Sequence, residues 1–139
     1  MSFSCTIVTP SDAVLDTSAS YASFEAWDGQ KGVATGASAF LTKLGTGVVR
    51  VQQDGGAQRV FVVDGGFAQM DGSRLTLLTE KAMDASGIDL AAAEREVAEA
   101  DARAVSGGEK ASSLDERAHL ERAQRLARAK VAAAQMARG

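Results

Sequence analysis

The sequence has few of the residues that build covalent or metal-bound scaffolds. Among 139 residues there is one cysteine, Cys5, and one histidine, His119. An intrachain disulfide and a Cys-X-X-Cys metal pair are therefore excluded, and one histidine cannot make a metal site alone. We expect no metal centre, and a chain that resides in a reducing, intracellular compartment.

Long apolar runs and targeting signals are also missing. No apolar stretch approaches the roughly 20 residues that a membrane helix needs, and residues 1–20 lack the basic start and apolar run of a signal peptide. The net charge is −3, which gives no case for bulk binding of nucleic acid. We expect a chain with no membrane span, no targeting segment and no nucleic-acid partner.

Aromatic residues are absent from the second half of the chain. They make up 5% of the sequence, and all seven lie between Phe3 and Phe67. Alanine instead supplies 16 of the 52 residues from Ile88 to Gly139, where only three of the 14 glycines lie. This change in composition predicts a first domain at residues 1–86 and a second at residues 87–139.

The first domain has the pattern of short strands separated by glycine turns. Phe3, Cys5 and Ile7 alternate with more polar neighbours, the period of a half-buried strand. Four turn signals separate the later apolar runs: Asp28-Gly29, Asp54-Gly55-Gly56, Asp64-Gly65-Gly66 and Asp71-Gly72. The last of these predicts a tight hairpin, because Asp-Gly tolerates positive φ at both central positions. Many short strands of this kind indicate a sandwich or barrel, and we take an all-β sandwich as the fold class.

The second domain has the pattern of two helices, at about residues 89–105 and 113–137. Apolar residues recur at helical spacing in each segment, and Asp89 suits the N-cap of the first helix. Ser106-Gly107-Gly108 is expected to end that helix, and "SLDE" from Ser113 to Glu116 fits a capping box. The short connection predicts an antiparallel helical hairpin.

The segment from Asp28 to Phe40, "DGQKGVATGASAF", contains glycines, a lysine and a serine. These residue types raise the possibility of a phosphate-binding loop. Such a loop needs GxxxxGK[ST] between a strand and a helix. Here three residues separate Gly32 from Gly36, and Ala37 stands where the lysine should be. The glycines are therefore predicted to form turns between strands.

No cluster of catalytic residue types stands out. Cys5 lies in an alternating apolar pattern, which predicts a buried and inert thiol, and His119 lies on the distant helical part. The acids Glu94, Glu96, Glu99 and Asp101 lack a histidine beside them, so a solvated helix face is favoured over metal or acid–base chemistry. We predict that the chain is not an enzyme by itself.

Positive charge is concentrated in the last helix. Residues 113–139 carry six bases and three acids, whereas residues 1–112 carry nine bases and 15 acids. Two interpretations stay open for this basic surface: a solvated face, or a face that meets an acidic partner. Its main members are Arg117, Arg122, Arg125 and Arg128.

Several segments in order resemble the epsilon subunit of the F-type ATP synthase. They are "GQKGVATGASAFLTKLGTGVVRV" from Gly29, "VFVVDGGFAQM" from Val60, "LTLLTEKAM" from Leu75 and "IDLAAAEREVAEA" from Ile88. The resemblance implies a non-catalytic subunit at the foot of the central stalk. Its sandwich would hold the gamma subunit and touch the loops of the membrane rotor ring, and so couple the two for proton-driven ATP synthesis. Its hairpin would extend towards the catalytic beta subunit and inhibit ATP hydrolysis.

The resemblance also implies sites. Gly29, Gln30, Lys31 and Gly32 would form a ring-contact loop, and Arg117, Arg122, Arg125 and Arg128 an inhibitory basic face. It further implies a peripheral location on the cytoplasmic face of a bacterial inner membrane, or on the stromal face of a plastid thylakoid. A free-standing adaptor made of a sandwich and a hairpin is the alternative function.

Departures from the family pattern fall in two places. Thr35, Ala37 and Ala39 stand where the family often has proline, histidine and proline, so the loop is less stiff. A nucleotide motif I-D-x-x-R-A is matched at Ile88 and Asp89, but Ala92 replaces its arginine. An alanine methyl makes no bidentate phosphate contact. We expect no cofactor, and at most a degenerate nucleotide site formed by Ile88, Asp89 and Arg122.

Overall fold

Among the residues that the structure describes, seven strands are followed by two helices, and this order of strands and then helices is the one that the sequence predicted. The computed structural model describes residues 2–110 and 114–138. The strands are β1 (Phe3–Val8), β2 (Ala13–Ala26), β3 (Gly29–Ala34), β4 (Phe40–Gln53), β5 (Gln58–Asp71), β6 (Arg74–Leu78) and β7 (Ala82–Asp84). A single 3-10 turn, Ala85–Gly87, leads into α1 (Leu90–Lys110), and α2 (Leu114–Arg138) follows.

The strand pairings close on themselves. The order is β1-β6-β5-β4-β2, and β2 pairs again with β1, while β3 extends from β2 and β7 from β5. All pairs are antiparallel except β1 with β6. The core that this circuit encloses is aromatic and aliphatic; its largest fully buried side chains are Phe24, Phe61, Ile7, Leu44, Met70, Leu75 and Leu77.

Three strands are longer than the sequence predicted. β2, β4 and β5 each have 14 residues, and Asp64-Gly65-Gly66 is a bend inside β5 rather than a turn between strands. Gly65 and Gly66 have φ of 77° and 113°, and a Cβ on Gly66 would collide with the Leu78 carbonyl oxygen. The bend reverses the alternation of side chains, because Val63 faces the core before it and Ala68 after it. One strand can therefore line the core along both of its halves.

Two predicted turns are shifted by one residue. The loop between β5 and β6 is Gly72-Ser73, with Asp71 paired to Arg74, so only Gly72 needs positive φ (63°). The β2–β3 loop is Trp27-Asp28, because Ala26 pairs with Gly29. The predicted turn at Asp54-Gly55-Gly56 does connect β4 to β5.

The predicted start of the first helix is confirmed, and its predicted end is wrong. Asp89 Oδ1 accepts a hydrogen bond from the Ala91 amide at 3.1 Å, the geometry of an N-cap. The helix continues to Lys110, past Ser106-Gly107-Gly108. Glycine inside a helix costs about 1 kcal/mol but keeps its hydrogen bond, so it does not by itself end the helix. The predicted capping box includes Ser113, which lies outside the described residues.

The two helices lie antiparallel, and α2 packs on the sandwich. Ala93 and Ala100 of α1 are buried, as are Ala127 and Ala134 of α2. On another side of α2, Ala129 and Ala133 pack against β5. No helix in the described ranges 90–110 and 114–138 is long and apolar enough to cross a membrane.

Candidate functional site

The outer face of the β4–β5 ribbon has two halves that meet at the glycine bend. The half before the bend in β5 is covered by α2, and we call it the covered half: Val48, Val60 and Val62. The half after it is open, and together with the adjacent β6 we call it the bare face: Leu41, Phe67 and Leu78. Both halves are apolar, but only one is buried by the chain itself.

The bare face lies on three neighbouring strands, and the exposed side chains of Lys43 and Gln69 lie between Leu41 and Phe67. Phe67 pairs directly with Leu78 on β6, and with Lys43 on β4, which places Leu41 diagonally across from Phe67. Leu41 is 70% exposed, Phe67 51% and Leu78 48%. Val8 and Pro10 extend the patch, since they line a groove with Phe67 and Leu78. Contiguous apolar patches on a protein surface typically mark an interaction site.

The covered half is held by small side chains. Ala129 and Ala133 meet Val60 and Val62, with Leu126 packed beside them. Burial contributes about 0.8 kcal/mol per methyl-sized group, so each alanine adds little. This contact is therefore much weaker than the aromatic core of the sandwich.

One charged contact joins the hairpin to the sandwich at the edge of the covered half. Arg122 Nε lies 3.0 Å from Asp64 Oδ1, and Thr46 Oγ1 donates to the same oxygen at 2.7 Å. Burial alone would raise the pKa of Asp64, but the hydrogen bonds from Arg122 and Thr46 and the charges of Arg122 and Lys81 hold it below its usual value of 3.8. Asp64 is therefore ionised in the folded hairpin, and the pKa of Arg122 is correspondingly raised.

The four predicted basic residues do not form a single open face in this arrangement. Arg122 contacts the sandwich, and Arg128 Nη2 lies 2.8 Å from Asp101 Oδ1 on α1. Arg125 is 3.6 Å from Glu121 of its own helix, and Arg117 is exposed. In the docked hairpin these residues have three surroundings, namely the sandwich, α1 and solvent, and a shared inhibitory face on the extended hairpin stays a prediction.

The predicted ring-contact residues lie in a strand. Gly29, Gln30, Lys31 and Gly32 begin β3, with Gln30 paired to Glu25 of β2. The prediction that they form a loop is wrong, because the chain has already reversed at Trp27-Asp28. Gln30 is exposed, and Lys31 Nζ lies 5.7 Å from the centroid of the Phe40 ring.

The residues of the degenerate nucleotide site are not brought together. Lys130 pairs with Glu96 and Arg128 with Asp101, a register that puts Asp89 level with the last turn of α2. Arg122 is then about 20 Å away along the helix. Asp89 caps α1, Ile88 packs beside the covered half, and Arg122 is bonded to Asp64.

The remaining candidates have structural explanations. Cys5 is fully buried, as predicted, and burial raises the pKa of its thiol to about 12. Glu96 and Asp101 are not merely solvated, since they bond Lys130, Gln124 and Arg128 across the hairpin. No metal-binding group of His, Cys, Asp and Glu occurs among the residues described.

Sequence reasoning missed the bare face and the Asp64–Arg122 contact. The alternation in "FLTKL" carries a signal for the first, because Leu41 and Lys43 fall on one side of the strand. The second has no local signal, since 58 residues separate its partners.

Comparison with known proteins agrees with the architecture. The family described as "ATP synthase, Delta/Epsilon chain, beta-sandwich domain" matches residues 2–85. The chain is 38% identical to the ATP synthase epsilon chain of Rhodopirellula baltica over 100 residues, 72% of this chain and 77% of that relative. It is 33% identical to an ATP synthase epsilon chain from Synechococcus over 137 residues, 99% of each chain.

A solved structure shows the same fold. One chain of the Euglena gracilis mitochondrial ATP synthase matches with a TM-score of 0.80 at 21% identity. The match covers 95% of this chain and 81% of that one, so it includes both the sandwich and helical residues.

Proposed function

The chain belongs to the ATP synthase delta/epsilon family, and we propose that it is the epsilon subunit of an F-type ATP synthase. In this role it does no catalysis itself. Its sandwich joins the gamma subunit to the membrane rotor ring, so that proton-driven rotation reaches the catalytic head, and its hairpin inhibits ATP hydrolysis. The complex is membrane-associated, and we place this subunit on its cytoplasmic face. A free-standing adaptor, the runner-up, would also use an exposed apolar face, and the family match over residues 2–85 favours the stalk subunit instead.

The observation that carries this function is the bare face. A rigid sheet that exposes Leu41, Phe67 and Leu78 together suits permanent contact with another protein, because burial removes their apolar area from water. We assign this face to gamma, the stalk partner with which the subunit rotates. The β2–β3 hairpin, with Trp27 69% exposed at its turn, is the segment that we assign to the ring.

The hairpin has the properties of a movable inhibitor. Its contact with the sandwich is made by alanines, while its many alanines favour helix whether or not it is docked. When it extends, Arg117 and Arg125 are already exposed, and Arg122 and Arg128 must leave Asp64 and Asp101. An acidic surface of the catalytic beta subunit is the partner that could replace those carboxylates.

Nucleotide binding is not part of the proposed mechanism. The folded hairpin separates Asp89 from Arg122, and Ala92 supplies no phosphate contact. We propose that the subunit holds no cofactor and that calorimetric titration with ATP gives no saturable heat at micromolar concentrations. A micromolar dissociation constant would contradict this.

Reconstitution tests the proposed function. Full-length chain should co-purify with gamma, and a chain ending at residue 112 should do so equally well because it keeps the bare face. Added to the catalytic head with gamma, the full chain should lower ATP hydrolysis, and the shortened chain should not. Replacing Arg117, Arg125 and Arg128 together by alanine should restore much of the hydrolysis. Absence of any complex with gamma would reject the function.

A further inference from the structure

Asp64 occupies an unusual place in the molecule. It lies at the glycine bend of β5, where the covered half meets the bare face, and it is 8% exposed. Within the described residues, its contact with Arg122 is the one ion pair that joins α2 to the sandwich; the others lie within the sandwich or within the hairpin. The apolar part of the interface consists largely of alanine and valine, and Glu80, Lys81 and His119 lie near the ion pair.

The side chains of Asp64 and Arg122 differ in how much of their surface is exposed to solvent. The Asp64 side chain is 11% exposed, whereas that of Arg122 is 57% exposed. Removing Arg122 while the hairpin stays docked leaves a largely buried carboxylate that keeps the hydrogen bond from the Thr46 hydroxyl. Leaving the sandwich costs Arg122 less, since much of its guanidinium already contacts solvent. Undocking separates the two side chains, so the docked state is favoured by the charge-assisted hydrogen bond from Arg122 to Asp64.

We propose that Asp64 is the positioning residue that holds the hairpin in its docked, non-inhibiting place by binding Arg122. Thr46 orients the carboxylate, because its hydroxyl donates to the same oxygen that accepts from Arg122. Arg122 thus has two competing hydrogen-bond acceptors. Asp64 accepts from it when the hairpin is docked, and an acidic group of the catalytic subunit accepts from it when the hairpin is extended. The second acceptor and the description of the docked state as non-inhibiting rest on the proposed function; the docking contact itself does not.

Docking can be measured on the full chain alone. Spin labels on cysteines placed at Gln58 and Ala118 report the distance between the start of β5 and the second turn of α2, and both positions are exposed. Cys5 does not compete for label, because it is buried and burial raises the pKa of its thiol. We expect one narrow distance distribution in the wild-type sequence.

Asp64→Asn tests the acceptor with almost no change of shape. It should shift the equilibrium from docked towards undocked by about tenfold, since Arg122 would then donate to a neutral amide oxygen and the hydrogen bond would lose its charge assistance. Arg122→Gln should act in the same direction, and because Arg122 is on the helix surface it cannot disturb the sandwich core. Asp101→Asn is the matched control: it weakens the contacts of Asp101 with Arg128 and Gln124 between the two helices and touches no contact with the sandwich. In the isolated chain, where the hairpin undocks as a unit, it should leave the docked population unchanged.

The measurements distinguish failure of the docking contact from failure of the inhibitory function. A docked population that is the same in Asp64→Asn, Arg122→Gln and wild type would overturn the assignment, as would an equal loss in Asp101→Asn. In the reconstituted head, Asp64→Asn should inhibit hydrolysis more strongly than wild type, and Arg122→Gln less strongly than Asp64→Asn. If labels show undocking but hydrolysis does not respond, Asp64 still positions the hairpin and the inhibitory function fails instead.

Discussion

The two halves of the β4–β5 ribbon differ in what covers them. Both present apolar side chains outward, but α2 buries Val48, Val60 and Val62, whereas Leu41 and Phe67 stay open. The contact between α2 and the covered half is made by alanines, each of which contributes little free energy of burial, and by one ion pair. The open side chains are large and would lose a great deal of exposed area in a complex. The bare face is therefore suited to lasting contact, and the covered half to a contact that opens and closes.

The difference between the bare face and the covered half is tested first by a mutation in the bare face. Leu41→Asp should weaken binding to gamma by about thirtyfold or more, because a charged side chain would replace an apolar one within the contact. The free energy of unfolding should change by no more than about 0.5 kcal/mol, since Leu41 is 70% exposed. Surface plasmon resonance and urea unfolding measure the two quantities. Gln52→Asp, an exposed change on the same strand, is the control and should bind normally.

Damage to the covered half should have a smaller and different effect. Ala133 is fully buried against the sandwich, and Ala133→Leu adds three carbon atoms there; overpacking of this kind costs about 1–3 kcal/mol. We expect the spin-label distances to show an undocked hairpin while binding to gamma is retained. Ala98→Leu, at an exposed position of α1, should leave the hairpin docked. Unfolding of the sandwich in Ala133→Leu would show that the two parts are not separable.

Acid should weaken the docked hairpin only at very low pH. The folded pKa of Asp64 lies below its ordinary 3.8, so the Arg122 pair contributes fully above that value and is lost as pH falls through the folded pKa. Glu80, Lys81 and His119 line the same pocket and are the other charged or titratable groups there. Label distances should therefore be constant from pH 7 down to about pH 4. Undocking between pH 7 and pH 5 would show that another group controls the contact.

Local chemistry explains which parts of this arrangement the sequence predicts. The N-cap at Asp89 depends on neighbours within two residues, and the alternation of β1 depends on its own side chains, so both are visible in the sequence. The division into strands and helices is equally visible, because aromatic and alanine residues are segregated.

Other features depend on contacts between residues that lie far apart in the sequence, so no local pattern predicts them. Gly65 and Gly66 supply positive φ, which serves a turn and a bend within a strand equally well, so the length of β5 depends on its pairing with β4. An alanine-rich helix has no unique apolar stripe, and α2 therefore buries one side against α1 and another against the sandwich. Arg122 contacts Asp64 because α2 packs on the sandwich, and no residue near Arg122 in the sequence determines this pairing.

The most direct test compares thiol reactivity at the two halves. Cysteines at Leu41 and Val62 are treated with an uncharged maleimide at pH 7, first in the isolated chain and then in the assembled enzyme while hydrolysis is inhibited. Leu41→Cys should react quickly in isolation and be protected in the enzyme. Val62→Cys, beneath α2, should be protected in isolation and become reactive in the inhibited enzyme, where the hairpin has left. Protection of Val62→Cys in both states, or reactivity of Leu41→Cys in both, would contradict the account.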